Sequence, residues 1–230
     1  MGEPNFRPAL LVVDMQEDFC PPSGSLAVPD GRSITPLINT LLALHSIPLK
    51  IATKDWHPPN HISFASNHES KQPFVDTTTI TNPHNPAETY TTRLWPTHCV
   101  QSTPGAALIP ELDTTHISHV IEKGTDPRVE MYSAFYAPLS QPRVSDSGLA
   151  GLLREQGITR VYVVGLAGDY CVRSTAEDAV REGFEAYVIE EGTRPVDPGL
   201  WEAVKREMEG NGVRVVRQDH RQVRRLFEER

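Results

Sequence analysis

Four runs of apolar, β-branched residues each end at, or lead within a few residues to, side chains that can do chemistry: Asp14, Asp55 with His57, Lys123 and Cys171. Ligands of open α/β sheets bind outside the carboxyl ends of the strands. A carboxylate, an amine and a thiol gathered there suit nucleophilic catalysis, in which the thiolate attacks and the carboxylate moves the proton. The sequence therefore predicts an active site at this edge of a sheet.

Cys171 lies in the stretch GLAGDYCVRSTAEDA, where an apolar strand gives way to a helix. The unpaired N–H groups at a helix start carry partial positive charge and favour a thiolate over a thiol. The position fits a catalytic nucleophile, and it also fits a small buried residue that closes the turn. Position alone does not decide between these two interpretations.

The stretch KDWHPPNHISF contains side chains that can bind a metal ion. Asp55 and His57 are two residues apart, so in an extended chain both lie on one face, as two ligands of one ion require. Either His61 nearby or His98 in LWPTHCV supplies a third ligand, and the spacing does not choose between them. Carboxylate and imidazole ligands without a thiolate suit Zn²⁺, Fe²⁺ or Mn²⁺.

The elements that position these groups alternate between strands and helices. Strands are predicted for six runs, at 9–14, 48–53, 117–123, 160–165, 185–190 and 213–217. Helices are predicted for three segments with helical spacing of apolar residues or with cap signals, at 33–45, 146–157 and 171–183. The alternation indicates βαβ units in a parallel, doubly wound sheet. Residues 65–94 and 124–145 are polar, Pro-rich and without periodicity, which predicts long functional loops.

Length and composition fit one α/β domain whose main partner is neither nucleic acid nor an anionic membrane. The 230 residues suffice for a single domain over 1–230, and 38% hydrophobic residues suffice for a core. A net charge of −8 without a basic run argues against nucleic acid or an anionic membrane as the partner. The C-terminal basic cluster is interleaved with glutamates and is interpreted as a solvated helix face: Arg221, Arg224 and Arg225.

The expected location is the cytoplasm, with the nucleus as an alternative. No stretch approaches the roughly 18 apolar residues of a membrane span, and the N-terminus lacks a secretory signal pattern. The three cysteines are far apart and form no CxxC pair, which argues against a disulfide framework. The oligomeric state stays open, a homo-oligomer included.

Six motifs follow one another along the chain: DMQEDF (14–19), DWHPPNHISF (55–64), LWPTHCVQSTPGA (94–106), EKG (122–124), YSAF (132–135) and GLAGDYCVRSTAEDA (165–179). In content and order they resemble the nicotinamidases of the isochorismatase-like cysteine hydrolase superfamily. The resemblance implies a three-layer αβα fold with a mostly parallel six-stranded sheet. It also implies hydrolysis of nicotinamide to nicotinate and ammonia, with pyrazinamide as a further substrate.

The resemblance also implies a role for each site residue. The catalytic triad would be Asp14, Lys123 and Cys171. One divalent ion, with Zn²⁺ preferred over Fe²⁺ or Mn²⁺, would be bound by Asp55, His57 and His98. An oxyanion would be held by the backbone N–H groups of Ala167 and Cys171. The pyridine ring would be lined by Phe19, Trp95 and Tyr132. A cis peptide is expected between Leu166 and Ala167, and Gly168 departs from the family pattern, which often has threonine there.

In the mechanism that the resemblance implies, Lys123 favours the thiolate of Cys171, and Asp14 carries the proton to the leaving ammonia. Three alternatives remain at this point. The substrate could be another small amide or carbamoyl compound. The scaffold could be a catalytically silent metal-binding or interaction protein. A metal-bound hydroxide could attack, with Cys171 incidental.

Overall fold

The computed structural model describes residues 6–228 as a central sheet with helices on both faces and one separate hairpin. The strands are β1 (Pro8–Val13), β2 (Leu49–Asp55), β3 (Thr77–Asn82), β4 (Asn85–Arg93), β5 (His119–Lys123), β6 (Arg160–Leu166), β7 (Glu185–Arg194) and β8 (Arg214–Val216). The helices are α1 (Thr35–Leu42), α2 (Leu149–Glu155), α3 (Arg173–Arg181), α4 (Trp201–Gly210) and the single turn α5 (Arg221–Arg224). In these described residues no helix combines the length and the apolar character needed to cross a membrane.

The central sheet has six strands in the order β5-β2-β1-β6-β7-β8, and every neighbouring pair is parallel. The predicted parallel αβα architecture is confirmed. The chain leaves β1 toward β2 on one side and later returns to β6 on the other side. In doubly wound folds this switch in direction opens a crevice at the carboxyl ends of the strands, between β1 and β6 here.

Two hydrophobic cores, one on each face of the sheet, explain why the strand sequences are continuously apolar. Along β1, Leu10 and Val12 belong to the core that includes α1, whereas Leu11 and Val13 belong to the core that includes α2, α3 and α4. All six residues of β1 are buried. Because neighbouring side chains point to opposite faces, a strand covered on both faces has no polar positions.

The prediction of a loop over residues 65–94 is wrong for its second half. Residues 77–93 form the antiparallel hairpin β3–β4, which is separate from the central sheet. The β-branched threonines of TTTITN and ETYTTR favour extended backbone. Apolar side chains of this hairpin contribute to a third small core with the 129–139 segment: Ile80, Tyr90, Val129, Met131, Ala137 and Leu139.

The six predicted strands of the central sheet and the three predicted helices are present with small shifts of boundary. Each of the three predicted helices is present but shorter than its predicted segment, and residues 221–224 are helical as expected. Residues 124–145, all described by the structure, contain only turns and isolated bridges. Helix α4 was not predicted, although Val204 and Met208 are buried at the i, i+4 spacing of an amphipathic helix.

Candidate active site

Asp14, Lys123 and Cys171 lie together at the carboxyl edge of the sheet. Asp14 directly follows β1, Lys123 ends β5, and Cys171 lies in the single π-helical turn Gly168–Val172 between β6 and α3. Lys123 Nζ is 2.9 Å from Asp14 Oδ2 and donates to Cys171 Sγ at 3.4 Å. All three side chains are buried. The topology thus unites three groups that the sequence separates by up to 157 positions.

One carboxylate oxygen of Asp14 accepts a hydrogen bond from a hydroxyl, and the other lies beside the Lys123 ammonium. Thr53 Oγ1 donates to Asp14 Oδ1 at 2.6 Å. Asp14 Oδ2 forms an ion pair with Lys123 but accepts no hydrogen bond from the described residues. Burial raises the pKa of Asp14, although the Lys123 ammonium acts in the opposite direction. A carboxyl group with a raised pKa and one oxygen not held by Thr53 can both accept and return a proton.

Lys123 supplies positive charge to two buried carboxylates. Its Nζ donates to Asp55 Oδ1 at 2.5 Å and lies beside Asp14 Oδ2 on the other side. Burial disfavours the ammonium, but Asp14 and Asp55 outweigh this effect and raise the pKa of Lys123 well above its ordinary value. Lys123 therefore stays charged at neutral pH, and its ammonium links the proposed catalytic group to the proposed metal-binding group.

Cys171 is a thiol in this environment. Burial raises the pKa of Cys171 well above its ordinary value, and the opposing effect of Lys123 is smaller. The lysine effect expected from the sequence is present, but burial outweighs it, so the thiolate is not the resting form. The thiol must therefore be deprotonated during the reaction. An oxygen of Asp14 lies within 4.8 Å of Cys171 Sγ and is the nearest carboxylate of the predicted triad.

Asp55, His57 and His98 converge on one point beside this triad. A carboxylate oxygen and two imidazole nitrogens of these residues lie within 4.8 Å of one another. Asp55 Oδ2 is 3.5 Å from His57 Nε2 and 3.9 Å from His98 Nε2. Burial raises and Lys123 lowers the pKa of Asp55, and together with His57 the lysine leaves it below its ordinary value, so Asp55 is ionised.

The hydrogen bonds of the two histidines leave their Nε2 atoms directed at this point. His57 Nδ1 lies 2.8 Å from the Gly124 carbonyl, and His98 Nδ1 lies 2.7 Å from the Pro96 carbonyl. A carbonyl accepts a hydrogen bond, so each Nδ1 carries a proton, and in the neutral ring Nε2 keeps a lone pair. His57 Nε2 is buried and makes no hydrogen bond among the described residues, while Asp55 Oδ2 lies 3.5 Å away. This donor set fits a divalent metal ion.

Gly124 is required for the position of His57. Its φ of 67° lies in the left-handed region, and a Cβ at this position would be 2.4 Å from His57 Cε1. A side chain here would displace the imidazole. The EKG motif therefore supplies both the lysine of the triad and the carbonyl that fixes a histidine tautomer.

His61 does not join this group as a ligand. Its Nδ1 is 2.7 Å from Ser63 Oγ and its Nε2 is 3.1 Å from the Val129 carbonyl, so both ring nitrogens have partners. The ring stacks on His57 at a centroid distance of 3.9 Å. Burial lowers the pKa of His61 to about 2, which keeps the ring neutral. Its geometry is that of a support for His57.

A narrow cavity opens onto Cys171 and the metal-type cluster. Its wall includes Phe19, Trp95 and Tyr132, which the sequence placed there, and the Ala167 residue proposed for the oxyanion. Four further residues of the wall were missed: Leu26, Glu130, Tyr170 and Val196. Tyr170 adjoins Cys171 and could have been found from its motif, whereas Glu130 stands in an aperiodic segment that gives no signal.

The Leu166–Ala167 peptide bond is cis, as the resemblance predicted. It lies where β6 ends and the turn that contains Cys171 begins. Cys20 and Cys99, like Cys171, are buried and free of disulfides. Cys99 Sγ is 3.9 Å from the Gly105 carbonyl and is not a member of the metal-type cluster.

Gly168 leaves space that Trp201 of α4 fills. A Cβ at Gly168 would lie 2.9 Å from Trp201 Cζ3 and 3.3 Å from Thr193 Oγ1. We expect Gly168→Thr to lower the free energy of unfolding by about 1–3 kcal/mol, because the added atoms must displace the indole. Urea unfolding measures this difference. The family pattern with threonine at this position therefore does not fit this chain unless residue 201 also changes.

The matched control is Gly151→Thr in α2, since a Cβ there meets nothing within 4 Å. The double variant Gly168→Thr/Trp201→Leu should recover part of the lost stability, because leucine gives room to the new side chain. If Gly168→Thr and Gly151→Thr unfold at the same urea concentration, the indole does not restrict this position.

Comparisons with known proteins agree with this geometry. A family model described as the isochorismatase domain matches residues 8–220. A nicotinamidase of Acinetobacter baylyi is 44% identical over 207 residues, which cover 89% of this chain and 90% of that protein. Yeast nicotinamidase bound to the inhibitor nicotinaldehyde superposes with a TM-score of 0.85 at 35% identity and covers 91% of this chain and 99% of its own.

A structure that contains a metal is also similar. A pyrazinamidase of Pyrococcus horikoshii in complex with zinc superposes with a TM-score of 0.71 at 37% identity, covering 92% of this chain and 99% of that one. In each case the similarity extends over nearly the whole of both chains, which shows the family and the fold.

Proposed function

Because this chain belongs to the isochorismatase domain family, we propose that it hydrolyses nicotinamide to nicotinate and ammonia and also accepts pyrazinamide. One observation carries the proposal. The buried Lys123 ammonium contacts both the Asp14 carboxylate and the Cys171 thiol, directly beside a carboxylate and two imidazoles with free Nε2 atoms. The nucleophile and two of the three metal-type residues thus line one cavity, and the proton carrier has an oxygen within 4.8 Å of the nucleophilic sulfur.

The first step forms the carbon–sulfur bond. Asp14 Oδ2 takes the proton from the Cys171 thiol, and the sulfur attacks the carboxamide carbon. Burial raises the pKa of both groups, and the Lys123 ammonium opposes this effect in each of them. The resulting oxyanion is held by the backbone N–H groups of Ala167 and Cys171, where one donor is typically worth about 10²–10³ in rate.

The second step breaks the carbon–nitrogen bond. Asp14 returns its proton to the nitrogen, ammonia leaves, and a nicotinoyl thioester remains on Cys171. A water molecule then attacks the thioester while Asp14 accepts a proton from that water. The carbon–sulfur bond breaks, Asp14 returns this proton to the departing sulfur, and nicotinic acid is released from the restored thiol. Lys123 keeps Asp14 positioned throughout, because its ammonium stays charged and lies 2.9 Å from Oδ2.

Asp55, His57 and His98 would hold one divalent ion, with Zn²⁺ preferred and Fe²⁺ or Mn²⁺ as alternatives. The support is the free Nε2 of each histidine, the ionised Asp55 and the similarity to a zinc-bound pyrazinamidase. When bound, the ion supplies a Lewis acid that accepts the lone pair of the pyridine nitrogen. Burial lowers the pKa of His98 to about 4, so this ring is neutral and able to bind a metal at physiological pH.

The proposal extends to the cellular role. Nicotinate released by this reaction would enter NAD salvage, and we place the protein in the cytoplasm or the nucleus. Solution scattering will measure whether the protein is a monomer or a homo-oligomer.

Ammonia release from nicotinamide by metal-loaded protein tests the proposal directly. We expect turnover with nicotinamide and with pyrazinamide, and loss of turnover after chelation with recovery when metal is restored. If metal-loaded protein releases no ammonia from nicotinamide, the substrate is wrong, and a related amide or carbamoyl compound takes its place.

Benzamide tests the role of the ring nitrogen. It has the same carboxamide and ring size as nicotinamide but lacks the nitrogen that the metal would bind. We expect its kcat/KM to be lower by about 10²-fold or more, since losing one strong polar contact costs roughly 3 kcal/mol. Steady-state ammonia release with both amides gives this ratio. Equal turnover of the two amides would remove the metal from substrate recognition.

A further inference from the structure

The cavity wall at residues 130–132 lacks regular secondary structure and is instead held by side chains of the hairpin. Glu130 and Tyr132 line the cavity, and the carbonyl of Met131 between them accepts a hydrogen bond from Lys123 Nζ at 3.4 Å. A shift of this segment would therefore move both the wall and a partner of the catalytic lysine. The elements that hold it determine the shape of the site.

Tyr90 on β4 pairs with the backbone of Glu130. Its hydroxyl donates to the Glu130 carbonyl at 2.7 Å and accepts from the Glu130 N–H at 2.8 Å. One phenol thus satisfies both backbone groups of a residue that has no strand neighbour. Ile80 and Tyr90 also pack against Val129 and Met131 in the small third core.

Thr92, two residues further along β4, reaches the ring of Tyr132. Trp95 Nε1 is 2.8 Å from Tyr132 Oη and can only donate, so the tyrosine oxygen accepts from the indole. The tyrosine proton is then free to be donated to Thr92 Oγ1, which lies 2.8 Å away. Thr92 and Trp95 together fix the rotation of a ring that faces the substrate cavity.

The hairpin is anchored at its tip as well. Glu88 accepts hydrogen bonds from the Ser140 and Gln141 N–H groups at 2.8 and 3.0 Å, and Asn82 Nδ2 donates to the Pro142 carbonyl at 2.8 Å. The hairpin therefore joins the 124–145 segment at its tip, at Tyr90 and at Thr92. These contacts at three places fix the hairpin to the segment.

On these contacts, and resting on the proposed nicotinamidase activity, we propose that the β3–β4 hairpin sets the affinity for the pyridine ring, with Thr92 and Tyr90 as positioning residues. Neither residue lines the cavity or belongs to the triad or the metal-type cluster. Thr92 acts through the hydroxyl of Tyr132, and Tyr90 acts through the backbone of Glu130.

Steady-state kinetics of Thr92→Val test the proposal. Valine keeps the shape of threonine but cannot accept the tyrosine proton. We expect the KM for nicotinamide to rise about three- to tenfold with a smaller change in kcat, since one hydrogen bond is worth this much in binding. Thr92→Ser should restore the wild-type KM. The matched control is Thr91→Val, the exposed neighbour whose side chain points to the opposite face of β4.

A double-mutant cycle with Tyr132→Phe separates positioning from a general effect on folding. If Thr92 acts through the tyrosine hydroxyl, Thr92→Val adds little to the KM of Tyr132→Phe, because the partner is already gone. Tyr90→Phe provides an independent second variant that should also raise KM. Thermal unfolding identifies the variants that fold as the wild type does.

The outcomes separate this inference from the proposed function. Wild-type protein that releases no ammonia from nicotinamide overturns the proposed function and this inference with it. Active wild type with a Thr92→Val KM equal to that of Thr91→Val overturns the inference alone, as do fully additive effects of Thr92→Val and Tyr132→Phe.

Discussion

Replacing Cys171 by alanine should abolish nicotinamide hydrolysis while leaving metal binding intact. The expected fall in kcat is on the order of 10⁴-fold or more, because alanine removes the atom that forms the thioester. Cys171 is not among Asp55, His57 and His98, so the metal content should equal that of the wild type. Ammonia release and metal content, measured on the same samples, test both halves of the expectation.

Cys20→Ala provides the matched control for this experiment. Cys20 is also buried and free, but it lies in the hydrophobic core and outside the cavity wall. Its replacement should cost some stability and leave turnover near that of the wild type. Mass spectrometry of acid-quenched wild type with nicotinamide should reveal a nicotinoyl adduct on Cys171. Substantial turnover by metal-loaded Cys171→Ala would instead support a metal-bound hydroxide as the nucleophile.

The strand ends were predictable because burial on both faces leaves a clear pattern in the sequence. β1 and β6 are wholly buried and almost entirely apolar, and β2 is buried at six of its seven positions. Asp14 directly follows β1 and Asp55 ends β2, whereas Lys123 ends the edge strand β5, in which it is the only buried residue. In a parallel sheet these ends share one edge, which is why local sequence predicted a long-range cluster.

The hairpin could not be predicted in the same way, since its strands are largely exposed. In β3 only Ile80 and Asn82 are buried, so threonines replace the apolar residues that marked the other strands. The hairpin is stabilised by contacts with residues about 40 positions later in the chain, such as Tyr90 with Glu130. Contacts at that separation leave no periodic signal.

The ionisation state of Cys171 and the choice between two candidate metal ligands also depended on three-dimensional structure. The helix start and Lys123 predicted a thiolate at Cys171, but only the structure reveals the burial that raises the pKa of this group. Spacing left His61 and His98 equivalent. The structure distinguishes them because both nitrogens of His61 have partners, whereas His98 has a partner on Nδ1 and directs Nε2 toward Asp55.

Replacing Lys123 by methionine should remove activity and strongly destabilise the fold. Lys123 is the shared cation of Asp14 and Asp55, and all three side chains are buried. Breaking such a group leaves uncompensated charge in the interior and costs about 3–5 kcal/mol. Without the ammonium the pKa of Asp14 rises further, because burial then acts unopposed by its main counter-charge. Asp14 is then protonated at neutral pH and cannot accept the thiol proton, so kcat should fall by about 10³-fold or more.

Two further variants test whether the expected losses arise from removing the charge of Lys123. Lys54→Met removes the neighbouring lysine of β2, whose partner Glu122 is exposed, and should cost less than about 1 kcal/mol. Asp14→Asn/Lys123→Met removes one cation together with one of its anions, so urea unfolding should show recovered stability while ammonia release stays absent. A Lys123→Met protein that unfolds and turns over like the wild type would mean that the two buried carboxylates are neutralised by another group. The double variant thus isolates the charge-balance role of Lys123, since stability recovers when one buried anion is removed together with the cation, while activity stays absent because Asp14 is the proton carrier.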